Sequence, residues 1–223
     1  MPFDDVEFAQ NPDPRCPVVL VVDCSGSMAT LRPGDTQSPI EALQEGLMRL
    51  HSELSADPLA SRRAEVAVVT FGLDVVVASE FQTMATWQIP QLQAAGPTPL
   101  GAAVCKALDL IEERKRSYRQ NGVSYYRPWL LVITDGVPTD DTTVAAKRIR
   151  EVEDSKKAAC FMVAVDGADI TVLQALSARA VMQLQGTKFN ELFVWLSASQ
   201  ARVSSSQPGD SVPLPSPSGW AEV

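Results

Sequence analysis

Three short runs of apolar, largely β-branched residues constrain this chain more than any other feature. Residues 17–22 (PVVLVV), 129–134 (WLLVIT) and 159–165 (ACFMVAV) show almost no polar alternation. A strand with one wet face alternates apolar and polar residues, so a run that is apolar at every position needs cover on both faces, as in a parallel sheet. Segments of helical spacing lie between the runs. Ile40, Leu43, Leu47, Leu50 and Leu54 form one, and Leu100, Val104, Ala107 and Ile111 form another. The first has a clear start: Ser38 at the cap, Pro39 at the first helical position and Glu41 to complete a Ser-x-x-Glu box. Residues 65–71 (EVAVVTF) and 74–79 (DVVVAS) are separated only by Gly72 and Leu73, too short a link for a parallel crossover, so they pair as a hairpin. Further helices are expected over residues 141–154 and after Asp169, then a weak strand over 181–184 and a last amphipathic segment bearing Phe189, Leu192, Phe193 and Leu196.

This order predicts a doubly wound α/β fold of Rossmann-like build: a mostly parallel central sheet with one antiparallel edge strand and helices on both faces. The folded domain is expected over residues 17–203, after an N-terminal extension of residues 1–16. Residues 204–223 are rich in Pro and Ser and read as a flexible tail. Trp220 is out of place there, and the alternative reading is a tethered docking peptide.

Charge narrows the partners. With 27 acidic against 19 basic side chains the net charge is −8, which favours neither a nucleic-acid backbone nor an anionic membrane. No apolar run approaches the roughly 18 residues of a membrane span. The first residues (MPFDDVEFAQNPDPR) lack the basic head and apolar stretch of an export signal. Cys16, Cys24, Cys105 and Cys160 lack metal-site spacing and read as reduced, buried thiols, so a cytoplasmic location is expected.

In open α/β sheets ligands bind beyond the carboxyl ends of the parallel strands. Three loops fall there: Asp23-Cys24-Ser25-Gly26-Ser27-Met28, Gly96-Pro97-Thr98-Pro99-Leu100-Gly101 and Thr134-Asp135-Gly136-Val137-Pro138-Thr139. Asp23, Ser25, Ser27, Thr98 and Asp135 together make an all-oxygen set, suited to a hard divalent ion such as Mg²⁺, with Mn²⁺ or Ca²⁺ as alternatives. Neutral hydroxyls leave such an ion electrophilic, and a partner carboxylate would satisfy it.

Asp23-x-Ser25-x-Ser27, Thr98 and Asp135 resemble, in order and context, the metal-ion-dependent adhesion site (MIDAS) of von Willebrand factor A (VWA) domains, and the likeness spans residues 17–200. Within that family the Ser-Gly-Ser-Met, Pro-Ile-Glu-Ala and Thr-Asp-Gly-x-Pro-Thr-Asp strings at 25–28, 39–42 and 134–140 are most similar to TerY-like bacterial stand-alone proteins. The resemblance implies a noncatalytic, metal-dependent protein-interaction module. In it Ser25, Ser27 and Thr98 touch the ion, and Asp23 and Asp135 act directly or through water. A protein partner supplies a carboxylate. It also implies a place in tellurite resistance or stress response, beside a protein kinase or phosphatase. Two departures stand out. Residues 29–38 (ATLRPGDTQS) are longer than the usual link, which enlarges the rim, and Cys24 replaces a common threonine at a position that points away from the ion.

Each residue also has an ordinary reading. Asp23 and the serines suit turns, and Thr98 before Pro99 suits a helix cap. Asp140 and Asp141 are expected to cap the helix that begins beside them, Asp74 and Asp166 to sit in turns or on the rim, and His51 at a boundary. Glu112 to Arg116, and Arg148, Arg150, Lys156 and Lys157, read as solvated helix faces. Two other functions compete. One is a metal-dependent hydrolase or phosphotransferase using Asp23 as nucleophile or the ion to activate water, weakened because the second aspartate expected two residues on is Ser25. The other is a metal-independent scaffold that recruits through its tail.

Overall fold

The computed structural model describes residues 8–217 and 219–222, so the first seven residues of the N-terminal extension lie outside it. The described residues form one sheet of seven strands in the order β3-β2-β1-β4-β5-β6-β7. The strands are β1 (Cys16–Asp23), β2 (Ala64–Phe71), β3 (Val75–Thr83), β4 (Trp129–Thr134), β5 (Ala159–Ala164), β6 (Met182–Leu184) and β7 (Ala221–Glu222). Helices α1 (Pro39–Ala56), α2 (Ala60–Arg63), α3 (Leu100–Gln120), α4 (Thr143–Asp154), α5 (Ile170–Leu176) and α6 (Phe189–Ser204) cover it.

The continuous apolar runs are the central strands. All eight residues of β1 are buried, and β1 pairs in parallel with β2 on one side and β4 on the other. Alternate side chains leave a strand on opposite faces. Val18, Leu20 and Val22 therefore join the core under α1 and α6, with Leu43, Leu47, Phe189 and Phe193, while Val19 and Val21 join the core under α3, with Val104, Ala107 and Ile111. Each such side chain contributes about 1.5–3 kcal/mol by leaving water. At the start of α1 the Glu41 carboxylate accepts from the Ser38 N–H at 2.8 Å and the Ser38 hydroxyl at 2.7 Å.

The hairpin forms as its short link requires: β3 lies antiparallel to β2 at one edge. The opposite edge differs from the expected layout. There β7 adds a two-residue antiparallel pairing to β6. Residues 205–217, 219 and 220, read as part of a flexible tail, return along α6 to reach it. The Trp195 indole N–H donates to the Pro215 carbonyl at 2.8 Å, and Trp220 is buried against Trp195 with ring centroids 5.6 Å apart. Composition counted the prolines and serines of this stretch; the apolar area of Leu214 and Trp220 found a place on the core under α6.

A second correction concerns the charged stretch of α3. Arg114 and Lys115, read as part of a solvated face, are buried. Glu65 on β2 is completely buried and explains Arg114: it accepts from Arg15 Nε at 2.7 Å, from Arg114 Nε at 2.8 Å and Nη2 at 2.9 Å, and from the Tyr118 hydroxyl. The Phe8 ring lies against both guanidinium groups, 5.4 Å from Arg15 and 4.9 Å from Arg114. A carboxylate whose two oxygens both accept from cations, with Arg15 also donating to the Asp13 and Asn11 carbonyls, is the arrangement that makes buried charge tolerable.

Strand order reverses beside β1, because the chain leaves β1 for β2 on one side and returns to β4 on the other. A crevice at the carboxyl ends of β1 and β4 follows from that reversal.

Candidate metal centre

Asp23 is the last residue of β1, and its parallel neighbour β4 ends on Thr134. That pairing sets the floor of the site. The Thr134 hydroxyl donates to Asp23 Oδ2, and the Ser25 N–H donates to Asp23 Oδ1 at 2.7 Å. Burial pushes the Asp23 carboxyl above the usual range, with the Asp135 charge adding to the rise, against the pull of the bonds from Ser25 and Thr134. Both Asp23 oxygens are thus engaged and its side chain is fully buried, which argues against a free nucleophile.

The chain turns after Asp23 into a 3₁₀ turn over Gly26–Ala29. The hydroxyls of Ser25 and Ser27 come to 3.0 Å of each other, and Ser27 donates to Asp135 Oδ1 at 2.6 Å. Backbone bonds fasten this loop to the next: the Ala95 N–H donates to the Cys24 carbonyl at 2.7 Å and the Gly26 N–H to the Gly96 carbonyl at 3.0 Å. Gly96 has φ +86°, and a Cβ there would lie 2.6 Å from the Leu73 nitrogen, so only glycine lets the hairpin turn approach. Cys24 sits in the core beneath, its thiol pushed up to about 12 by burial and the neighbouring Asp23.

Thr98 comes from the second loop and is held to the third. Its N–H donates to the Thr139 hydroxyl at 3.1 Å, and the Thr139 N–H donates to the Thr98 carbonyl at 2.9 Å. The capping role open to Thr98 is filled by another residue: Asp140 accepts from the N–H groups of Gly101 at 3.0 Å and Ala102 at 2.8 Å. Asp140 therefore caps α3, not the helix that follows it, while Asp141 accepts from Thr143 at the start of α4. A Cβ on Gly136 would lie 2.8 Å from the Thr98 hydroxyl oxygen, so this glycine makes room for it.

The structure thus places all five residues singled out in the sequence in three adjoining loops, with Ser25, Ser27 and Asp135 in one hydrogen-bonded chain, Asp23 beneath it and Thr98 against Gly136. Their chemistry fits a hard divalent cation. The set is entirely oxygen and mixes three neutral hydroxyls with two carboxylates, and an alanine at 136 would press on the Thr98 side chain. Among the described residues no group of three or more His, Cys, Asp or Glu side chains could hold a metal.

Arg32 completes the site and escapes sequence reasoning. Its Nη2 donates to Asp135 Oδ2 at 3.0 Å and to the Asp166 carbonyl, so it bridges two loops from the long segment after Ala29. The extra length of residues 29–38 was the only sequence signal. Asp166 lies on the rim as expected, contributing its carbonyl.

Comparison with known proteins bears on the family and the fold. The von Willebrand factor type A domain family matches residues 18–192. Among solved structures, the pilus adhesin SpaC from Lactobacillus rhamnosus GG superposes with a TM-score of 0.63 at 12% identity, covering 85% of this chain and 31% of that one. Proximal thread matrix protein 1 from the mussel byssus gives 0.57 at 13% identity, covering 85% and 48%. The ArnB paralog VWA2 from Sulfolobus acidocaldarius gives 0.53 at 13% identity, covering 83% and 45%. The chain spans between about a third and a half of the length of these proteins, and at such identities the likeness concerns the fold. No curated protein matches the sequence.

Proposed function

The chain belongs to the von Willebrand factor type A domain family, and on that premise we propose that it is a noncatalytic protein-interaction module whose binding depends on a divalent cation, Mg²⁺ first, at the MIDAS formed by Asp23, Ser25, Ser27, Thr98 and Asp135. The observation that carries this reading is the chain of oxygens from Ser25 through Ser27 to Asp135, drawn from loops far apart in sequence to the carboxyl ends of adjacent strands.

Ser25, Ser27 and Thr98 would offer neutral oxygens. Asp23, held by the Ser25 N–H and the Thr134 hydroxyl, fixes the loop and supplies charge from below. Asp135 would bring the second carboxylate, directly or through water. A bound ion would supply an electrophilic centre whose remaining coordination takes a carboxylate oxygen from a partner protein. The structural neighbours, a pilus adhesin and a byssal matrix protein among them, support a binding rather than catalytic role. The engaged oxygens of Asp23 disfavour the hydrolase reading. No helix among the described residues is long and apolar enough to cross a membrane. The TerY-like strings support a place in a tellurite-resistance or stress-response system with kinase or phosphatase partners. All four cysteines are free, which supports a reducing, cytoplasmic setting.

The test is calorimetric titration of Mg²⁺ and Mn²⁺ into the full chain and into Asp23→Ala and Asp135→Ala, followed by partner capture with and without chelator. Metal binding lost in both variants, together with chelator-sensitive capture, is the expected result. Capture unchanged by excess chelator would favour the scaffold, and Asp23-dependent turnover of a phosphate ester would favour the enzyme.

A further inference from the structure

Both oxygens of Asp135 are spoken for: Oδ1 accepts from Ser27 and Oδ2 from Arg32. The second partner is unusual for a carboxylate expected to serve a divalent ion. Arg32 carries a permanent positive charge, its side chain is only 20% exposed, and the Asp135 side chain is 2% exposed, so the pair is shielded from solvent more than a surface ion pair is. We infer that Arg32 is the affinity-setting residue of this metal centre: its guanidinium is an internal counter-ion for Asp135, which must leave that carboxylate for a divalent cation to use it. This inference rests on the metal-binding reading above and concerns how that site is regulated.

Three observations support exchange over permanent pairing. First, the hold is one-pronged. A guanidinium can grip a carboxylate through two parallel N–H bonds, yet here only Nη2 reaches Asp135, and the same nitrogen is shared with the Asp166 carbonyl. Second, Nη1 is buried without a hydrogen-bond partner among the described residues, so the inward position carries a penalty that an outward swing relieves. Third, the segment that carries Arg32 can move at little cost to the core. Residues 29–31, 33, 34 and 36 are exposed, Leu31 is 57% exposed, and the segment closes through a turn in which the Asp35 N–H donates to the Arg32 carbonyl at 3.1 Å. Its far end is anchored independently by the Ser38–Glu41 contacts.

The electrostatics give the direction. A divalent ion drawn to Asp135 would face the guanidinium as a like charge across a poorly solvated gap, so each cation weakens the other's hold. Loop 29–38 then acts as a tethered competitor: it screens Asp135 while the ion is scarce and yields as its concentration rises.

Mn²⁺ titration of the full chain, followed by electron paramagnetic resonance, tests this in wild type, Arg32→Ala, Arg32→Gln and Arg32→Lys. Removing the competitor should tighten Mn²⁺ binding roughly threefold to tenfold in Arg32→Ala and Arg32→Gln, the range expected for losing one partly shielded ion pair. Arg32→Lys keeps the charge and should stay near wild type. Amide exchange in residues 29–38 of the wild type should rise when Mn²⁺ is added. Mn²⁺ binding that is equal or weaker in both neutral variants, with the wild type still binding, would overturn the role of Arg32 and leave the metal centre standing. No Mn²⁺ binding by any of the four would instead remove the metal reading, and this inference with it.

Discussion

Ser27 and Asp135 stand 108 positions apart in the chain and are joined by a 2.6 Å hydrogen bond in which the hydroxyl donates to Oδ1. The bond exists because β1 and β4 are parallel neighbours with Val22 beside Ile133, so the loops leaving both strands open on the same end of the sheet. Everything proposed for the site depends on that adjacency, and its parts can be tested separately.

Gly136→Ala should weaken Mn²⁺ binding with little loss of fold. The new methyl would lie 2.8 Å from the Thr98 hydroxyl oxygen and 3.0 Å from its methyl carbon, and must push that side chain aside. Titration calorimetry measures the first effect and thermal unfolding in chelator the second; unchanged affinity would show that Thr98 does not contribute an oxygen.

Asp23→Asn should raise the stability of the metal-free domain at neutral pH. The native pKa of Asp23 is raised, chiefly by burial, so the folded state binds the proton more tightly than the unfolded one. Its contribution is present in full below the ordinary carboxylate value and is lost as pH rises through the native value. An amide carries no such charge, so the variant's advantage should appear at neutral pH in chelator and vanish in acid. Melting curves against pH decide it: a variant less stable at pH 7 would contradict the sign.

Glu65→Ala should cost about 3–5 kcal/mol, because it removes the buried carboxylate that Arg15 and Arg114 share. Urea unfolding measures it. A loss below about 1 kcal/mol, the range of surface pairs, would mean that solvent reaches the cluster.

Trp220→Ala should cost about 3 kcal/mol, near the usual penalty for truncating a buried aromatic side chain. Removing residues 205–223 should destabilise at least as much and expose Trp195. Unfolding monitored by tryptophan fluorescence tests both, and full stability in the truncated chain would return residues 205–223 to the status of a dispensable tail.

Much of the architecture was written locally. A run such as PVVLVV has no polar position to turn toward water, so it demands cover on both sides, and a two-residue link cannot span a parallel crossover; the central strands and the β2–β3 hairpin follow from these short-range facts alone. Four of the candidate ligands were legible too, because Asp23, Ser25, Ser27 and Asp135 are short oxygen-bearing residues at or just after strand ends, whereas Thr98 lies fifteen residues beyond β3 and just before α3. What lay beyond the sequence is every pairing between side chains distant in the chain. Arg114 among five consecutive charged residues looks like any solvated arginine until β2 brings Glu65 to it. Asp140 neighbours one helix yet caps another that begins 40 positions earlier in the chain. Trp220 found a hydrophobic surface that only α6 and the sheet edge create. Arg32 acquired meaning when the loops after β1, β4 and β5 met. Hydrophobic periodicity is a property of a dozen consecutive residues and can be read along the chain, whereas a charge or hydrogen-bond partner is chosen by three-dimensional proximity, which only the packed sheet and helices define.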